Sequence, residues 1–123
     1  MNRPWHSVQN PRDDGSHEIS AESTPGRDSL WFDGHFPGAP ILPGIAQLAV
    51  VSDLLAWHAE KQGRSAAISS FSRVRFRQFI RPDDTVSVTI TPEVGNPAAF
   101  KFRIVSRGQL ACSGQVRMAA PAE

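Results

Sequence analysis

Apolar and polar residues alternate along the second half of the chain. Over residues 85–91, Val86, Val88 and Ile90 share one face and Ser87 and Thr89 the other, and Phe100, Phe102 and Ile104 repeat the pattern against Lys101 and Arg103. A two-residue period of this kind marks a half-buried strand. Residues 110–118 carry Leu110, Cys112, Val116 and Met118 in register, and residues 66–80 carry Phe71, Val74, Phe76 and Phe79 before the turn Arg81-Pro82-Asp83-Asp84. Short turns within residues 92–97 and at Arg107-Gly108 predict an antiparallel meander of these four strands. A weaker alternation of His17, Ile19 and Ala21 predicts a further strand ending near Pro25-Gly26.

The period changes between these strands. Pro43 suits the first turn of a helix, where its missing N–H has no intrahelical partner, and the helix is expected to run to about Gly63. Ile45, Leu48, Val51, Leu55 and Ala59 follow helical spacing, while Ala46, Val50, Leu54 and Trp57 fill much of the remaining circumference. A helix apolar on most sides must be wrapped, so the pattern predicts an α+β domain with a curved antiparallel sheet around a long central helix. Residues 1–16, rich in Pro, Asp and Asn, are expected to form a flexible arm and residues 17–123 the domain.

The 123 residues are enough for one core. Lys and Arg number 13 against 12 Asp and Glu, a net charge of +1 that offers no general attraction for nucleic acid. The N-terminus lacks the apolar stretch of a secretory signal, and residues 41–57 are interrupted by Pro43, Gln47, Ser52 and Asp53, so a cytoplasmic protein without membrane insertion is expected. Cys112 lies in a strand-like run and is expected to be structural. No nucleotide-binding loop, zinc spacing or nucleophile elbow is present, so neither cofactor nor metal is expected, and His58 is read as a packing or surface residue.

The most informative segment is Asp33-Gly34-His35-Phe36-Pro37-Gly38-Ala39-Pro40-Ile41-Leu42-Pro43-Gly44. Its prolines and glycines describe a rigid extended loop that delivers one imidazole to a fixed place before a helix. Here the chain resembles the bacterial 3-hydroxyacyl-acyl-carrier-protein dehydratases, whose His-Phe-Pro loop runs through Pro and Pro-Gly into the helix of a hotdog fold. Arg75-Phe76 and Ile80-Arg81-Pro82-Asp83-Asp84 resemble that family's Arg-Phe strand and Pro-Gly-Asp turn, with Asp83 in place of the glycine.

The resemblance implies a hotdog fold acting on acyl thioesters carried by acyl-carrier protein. It implies that His35 works at the α-carbon and that the backbone N–H of Gly44 polarises the thioester carbonyl, with Phe36, Pro43 and Ala49 around the substrate. Both roles suit the groups: imidazole titrates near working pH, and N–H groups at a helix start are donors for a carbonyl that gains negative charge. It also implies a homodimer or higher homo-oligomer, with histidine and acid on different subunits. Arg73, Arg75, Arg77 and Arg81 are the expected contacts for an acidic carrier protein; their other reading is a solvated strand face.

One position departs from the family. The acid expected on the helix fourteen residues after His35 is replaced by Ala49, and the next carboxylate is Asp53, one turn on and about 6 Å along the axis. Three readings stay open: Asp53 serves directly or through water, oriented by Ser52 or Gln47; the protein hydrolyses thioesters; or it binds acyl chains as a non-catalytic or accessory subunit. Asp53 is equally read as a polar residue at a dimer or tunnel boundary. Acyl chain length and the pathway, whether fatty-acid, polyketide or aryl-polyene synthesis, are not written in the sequence.

Overall fold

The structure is a computed structural model that describes residues 8–13, 18–26, 42–63 and 67–119. Its elements in chain order are β1 (Gln9–Asp13), β2 (Ile19–Ser23), α1 (Gly44–Lys61), β3 (Ile68–Phe76), β4 (Val86–Glu93), β5 (Asn96–Ser106) and β6 (Gln109–Met118). The strands form one antiparallel sheet in the order β1-β2-β4-β5-β6-β3.

The alternating segments are the centre of this sheet. Val88 pairs with Ile104 and Ile90 with Phe102, and all four are buried against α1. Val50, Val51, Leu54 and Leu55 supply the helix side of the core, which Ile19, Cys112 and Val116 extend. Gly114 lies across from Phe102, and a Cβ there would stand 2.8 Å from the Phe102 ring, so that large side chain requires a glycine opposite it. Arg107 (φ 55°) and Gly108 (φ 74°) turn β5 into β6 in a two-residue hairpin.

The structure refines several expectations and corrects the pairing of β3. β3 does not pair with β4: it pairs with β6 at the far edge, so only β4-β5-β6 is a meander. The connection over residues 77–85 crosses the core instead of closing a hairpin, because Ile80 is fully buried and the N–H groups of Arg77 and Gln78 donate to the Ala111 carbonyl. The expected turn within residues 92–97 falls at Val94-Gly95, and Pro92 stays in β4 opposite Phe100, beyond the last described β2 pair at Ile19 and Ile90. Within the expected N-terminal arm, Gln9–Asp13 forms an edge strand, tied to β2 by an Arg12–Glu22 ion pair at 2.8 Å and to α1 by His58 Nδ1 at 3.6 Å from Asp13. Ile45, grouped with the buried stripe of the helix, is 68% exposed; the sheet covers the face of Ala46, Val50 and Leu54.

Candidate functional site

The start of α1 is where backbone donors, an apolar crevice and a buried amide meet. Pro43 precedes the helix in extended conformation (φ −60°, ψ 151°), and no side chain among the described residues caps it. The first intrahelical bonds run from the N–H groups of Ala46 and Gln47 to the Pro43 carbonyl at 3.0 and 3.3 Å. The N–H groups of Gly44 and Ile45 come before these bonds, and the first turn, Gly44-Ile45-Ala46-Gln47, carries no acid. Such an end is electropositive and suits an oxygen that acquires negative charge.

Two packing contacts hold this end in place. The Leu42 N–H donates to the Ile80 carbonyl at 2.7 Å, so the crossover from β3 fixes the chain two residues before the helix. The Phe76 ring lies against Gly44, where a Cβ would stand 2.7 Å from Phe76 Cζ. The crossover is itself braced at Asp84, a buried carboxylate that accepts the Arg81 N–H at 3.0 Å and the Arg107 guanidinium at 2.8 and 3.2 Å. Asp83 stands there at φ 70°, the left-handed conformation for which the family's glycine is suited.

Beside the helix start, Ser23, Leu42, Ala46, Gln47, Val50 and Ile80 line a narrow crevice of about 280 Å³, counting the part open to solvent. Gln47 is 4% exposed, and its Oε1 is buried with no hydrogen-bond partner among the described residues. Leaving a buried polar atom unpaired costs about 1–3 kcal/mol, so its presence in a lining that is otherwise apolar apart from Ser23 calls for a purpose. Sequence reasoning reached Gln47 only as an orienting group for Asp53. The clearer signal is its spacing with Ala46, Val50 and Leu54 on the helix face that the sheet covers.

The expected site residues separate. Pro43 and Gly44 form the helix start, while His35 and Phe36 lie outside the described residues. Ala49 is half-buried and Asp53 exposed, both on the side of the helix left uncovered by the sheet. Asp53 stands roughly 13 Å along the axis from Gly44 and roughly 120° around it from Gln47, so within one chain it does not meet the crevice. Arg73, Arg75, Arg77 and Arg81 are all exposed. Arg73 (φ 52°) sits in a bulge between Ser72 and Arg75, and Arg77 follows the end of β3, so the arginines are not regularly spaced along one strand.

Burial pushes the Cys112 thiol up to about 11, which keeps it protonated and inert. Among the described residues no group of three or more His, Cys, Asp or Glu is placed to hold a metal ion, and no helix is long and apolar enough to cross a membrane.

The sheet and its central helix are a hotdog fold. The chain superposes on the dehydratase heterocomplex ApeI:P from Xenorhabdus doucetiae with a TM-score of 0.73 at 23% identity, over 98% of this chain and 100% of that one. A hypothetical thioesterase with coenzyme A from Streptococcus pneumoniae gives 0.65 at 10% identity, over 96% and 91%. Residues 10–115 match the ApeI-like family, described as ApeI dehydratase, and the chain belongs to that family. It is 32% identical over 97 residues to the 3-hydroxyacyl-[acyl-carrier-protein] dehydratase FabZ of Lactobacillus helveticus, covering 74% of this chain and 66% of the relative. The FabZ of Levilactobacillus brevis is 32% identical over 92 residues, covering 70% and 62%. The chain thus spans about two thirds or less of the length of these curated relatives.

Proposed function

We propose that the protein dehydrates 3-hydroxyacyl thioesters carried on acyl-carrier protein, or hydrates the corresponding enoyl thioesters, as a step of lipid synthesis. The observation that carries this reading is the uncapped start of α1 at Gly44, opening beside an apolar crevice in a chain of the ApeI-like dehydratase family. Removing a proton from C2 builds negative charge on the thioester oxygen, and the Gly44 N–H is the donor for it. His35 takes that proton, since imidazole changes charge near working pH.

The complete site belongs to a dimer. Ile45 (68% exposed), Phe76 (51%) and Phe79 (69%) lie at or near the start of α1, and β3 forms an edge of the sheet, so a homodimer that covers both is the favoured assembly. Arg73, Arg75, Arg77 and Arg81 on and after β3 meet the acidic carrier protein. The protein works in the cytoplasm.

Ala49 favours a second reading, in which this chain binds the acyl thioester and another subunit supplies the acid. Incubation with 3-hydroxyacyl and trans-2-enoyl thioesters decides between them. Water loss or gain by this chain alone supports the dehydratase; release of free thiol makes it a hydrolase; binding without either reaction makes it an accessory subunit.

A further inference from the structure

Among the described residues the crevice beside α1 is lined by apolar side chains except for Ser23 and Gln47, and its interior has room for about one water molecule. An alkyl chain gains nothing from the Gln47 Oε1, unpaired among the described residues, whereas a hydroxyl or a water is small enough to enter and has the O–H that this oxygen lacks. Gln47 follows Gly44 by three residues, so it stands roughly 4.5 Å further along the axis and roughly 60° around it, on the same side of the helix. A thioester whose carbonyl oxygen is held at Gly44 has its C3 hydroxyl only one carbon beyond C2, within the span of that single turn.

We infer that the Gln47 amide receives the oxygen that leaves as water, holding it first as the 3-hydroxyl of the bound acyl chain and then as the released molecule. This rests on the dehydratase reading of the same site. In the elimination the C2–H bond gives its proton to the His35 imidazole and its electron pair to the new C2=C3 bond. The C3–O bond breaks onto oxygen, and the departing oxygen takes the proton back from the imidazolium. Gln47 gains and loses no proton, because an amide does not titrate in this range; it orients the C–O bond and gives the product water a first stop. Gln47 therefore does not replace the acid missing at Ala49, which lies on the side of the helix that the described sheet does not cover. Its effect is selectivity: an acyl chain with a 3-hydroxyl satisfies the amide, and a saturated chain leaves it unpaired.

The test measures binding of 3-hydroxyhexanoyl-CoA and hexanoyl-CoA to the full chain by calorimetry, in a His35→Ala background that prevents turnover. The hydroxylated ligand is expected to bind about tenfold more tightly, one hydrogen bond's worth, and Gln47→Leu is expected to erase that preference while hexanoyl-CoA affinity stays within about twofold. With His35 intact, the same substitution is expected to lower kcat/KM for dehydration by about tenfold or more. Gln47→Met takes the place of Gln47→Leu should the latter fail to fold. A preference that survives the substitution, or equal loss of both ligands, overturns the assignment and leaves Gln47 a packing residue. A wild-type protein that never dehydrates refutes the dehydratase reading, yet the pair of affinities still decides whether Gln47 reads the hydroxyl.

Discussion

Replacing Gly44 with alanine isolates the contact between the helix start and Phe76. Alanine favours helix over glycine by about 0.5–1 kcal/mol, so in open space the change stabilises. The added Cβ would stand 2.7 Å from Phe76 Cζ and 3.1 Å from both Cε atoms, so the ring must move. Such crowding costs about 1–3 kcal/mol, and the low end applies because Phe76 is 51% exposed and its ring has room to swing outward. Gly44→Ala is therefore expected to destabilise by no more than about 0.5 kcal/mol, and in a Phe76→Ala background to stabilise by about 0.5–1 kcal/mol. The coupling of about 1 kcal/mol is read by urea unfolding of the two single variants and the double variant. An equal change in both backgrounds would show that Phe76 does not touch the helix start and takes no part in holding it.

Asp84→Ala unpairs the Arg81 N–H and the Arg107 guanidinium together and is expected to cost about 2–3 kcal/mol in urea unfolding; Arg107→Ala, removing an arginine that is 66% exposed, should cost less, and the reverse order contradicts the bracing role of Asp84. Because burial raises the Cys112 thiol from 9.0 to about 11, the unfolded chain releases that proton first: the associated stability is full below pH 9, falls as pH approaches 11, and is absent from the pH profile of a Cys112→Ala variant. Ala49→Glu is expected to raise the rate of 3-hydroxyacyl thioester dehydration and His35→Ala to abolish it, both in folded dimers; an Ala49→Glu variant no faster than wild type argues that the uncovered helix face does not reach a second subunit's site.

The local periods were legible because each reports one element's own face. Val86, Val88 and Ile90 need only a two-residue alternation to declare a buried side, and Pro43 and Gly63 bracket the helix by their own backbone geometry. What the local pattern does not contain is which strand lies beside which. The partner of β3 depends on Ile80 being drawn into the core some residues later, and β1 is held by partners on β2 and α1 rather than by any alternation of its own. The helix was apolar on two sides, and only the sheet's position shows that Ile45 belongs to the open one. Of the proposed site, the donor role of Gly44 is an expectation from resemblance, whereas the isolation of Gln47 emerged only from its burial beside Ala46, Val50 and Leu54.

The crossover also sets the order in which the protein assembles. β3 precedes β4, β5 and β6 in the chain, yet its only described partner is β6, and the pair Ile68 and Met118 must close most of the intervening chain into one loop. The hairpins β4-β5 and β5-β6 close over a few residues and are expected to form early, whereas β3 waits for a template at the last strand. Phe76 and Ile80, which hold the start of α1 in place, lie on that late segment. During synthesis the β4-β5 hairpin is thus free to form before the final strand emerges, but the start of α1 at Gly44 gains its shape only when β6 has paired with β3.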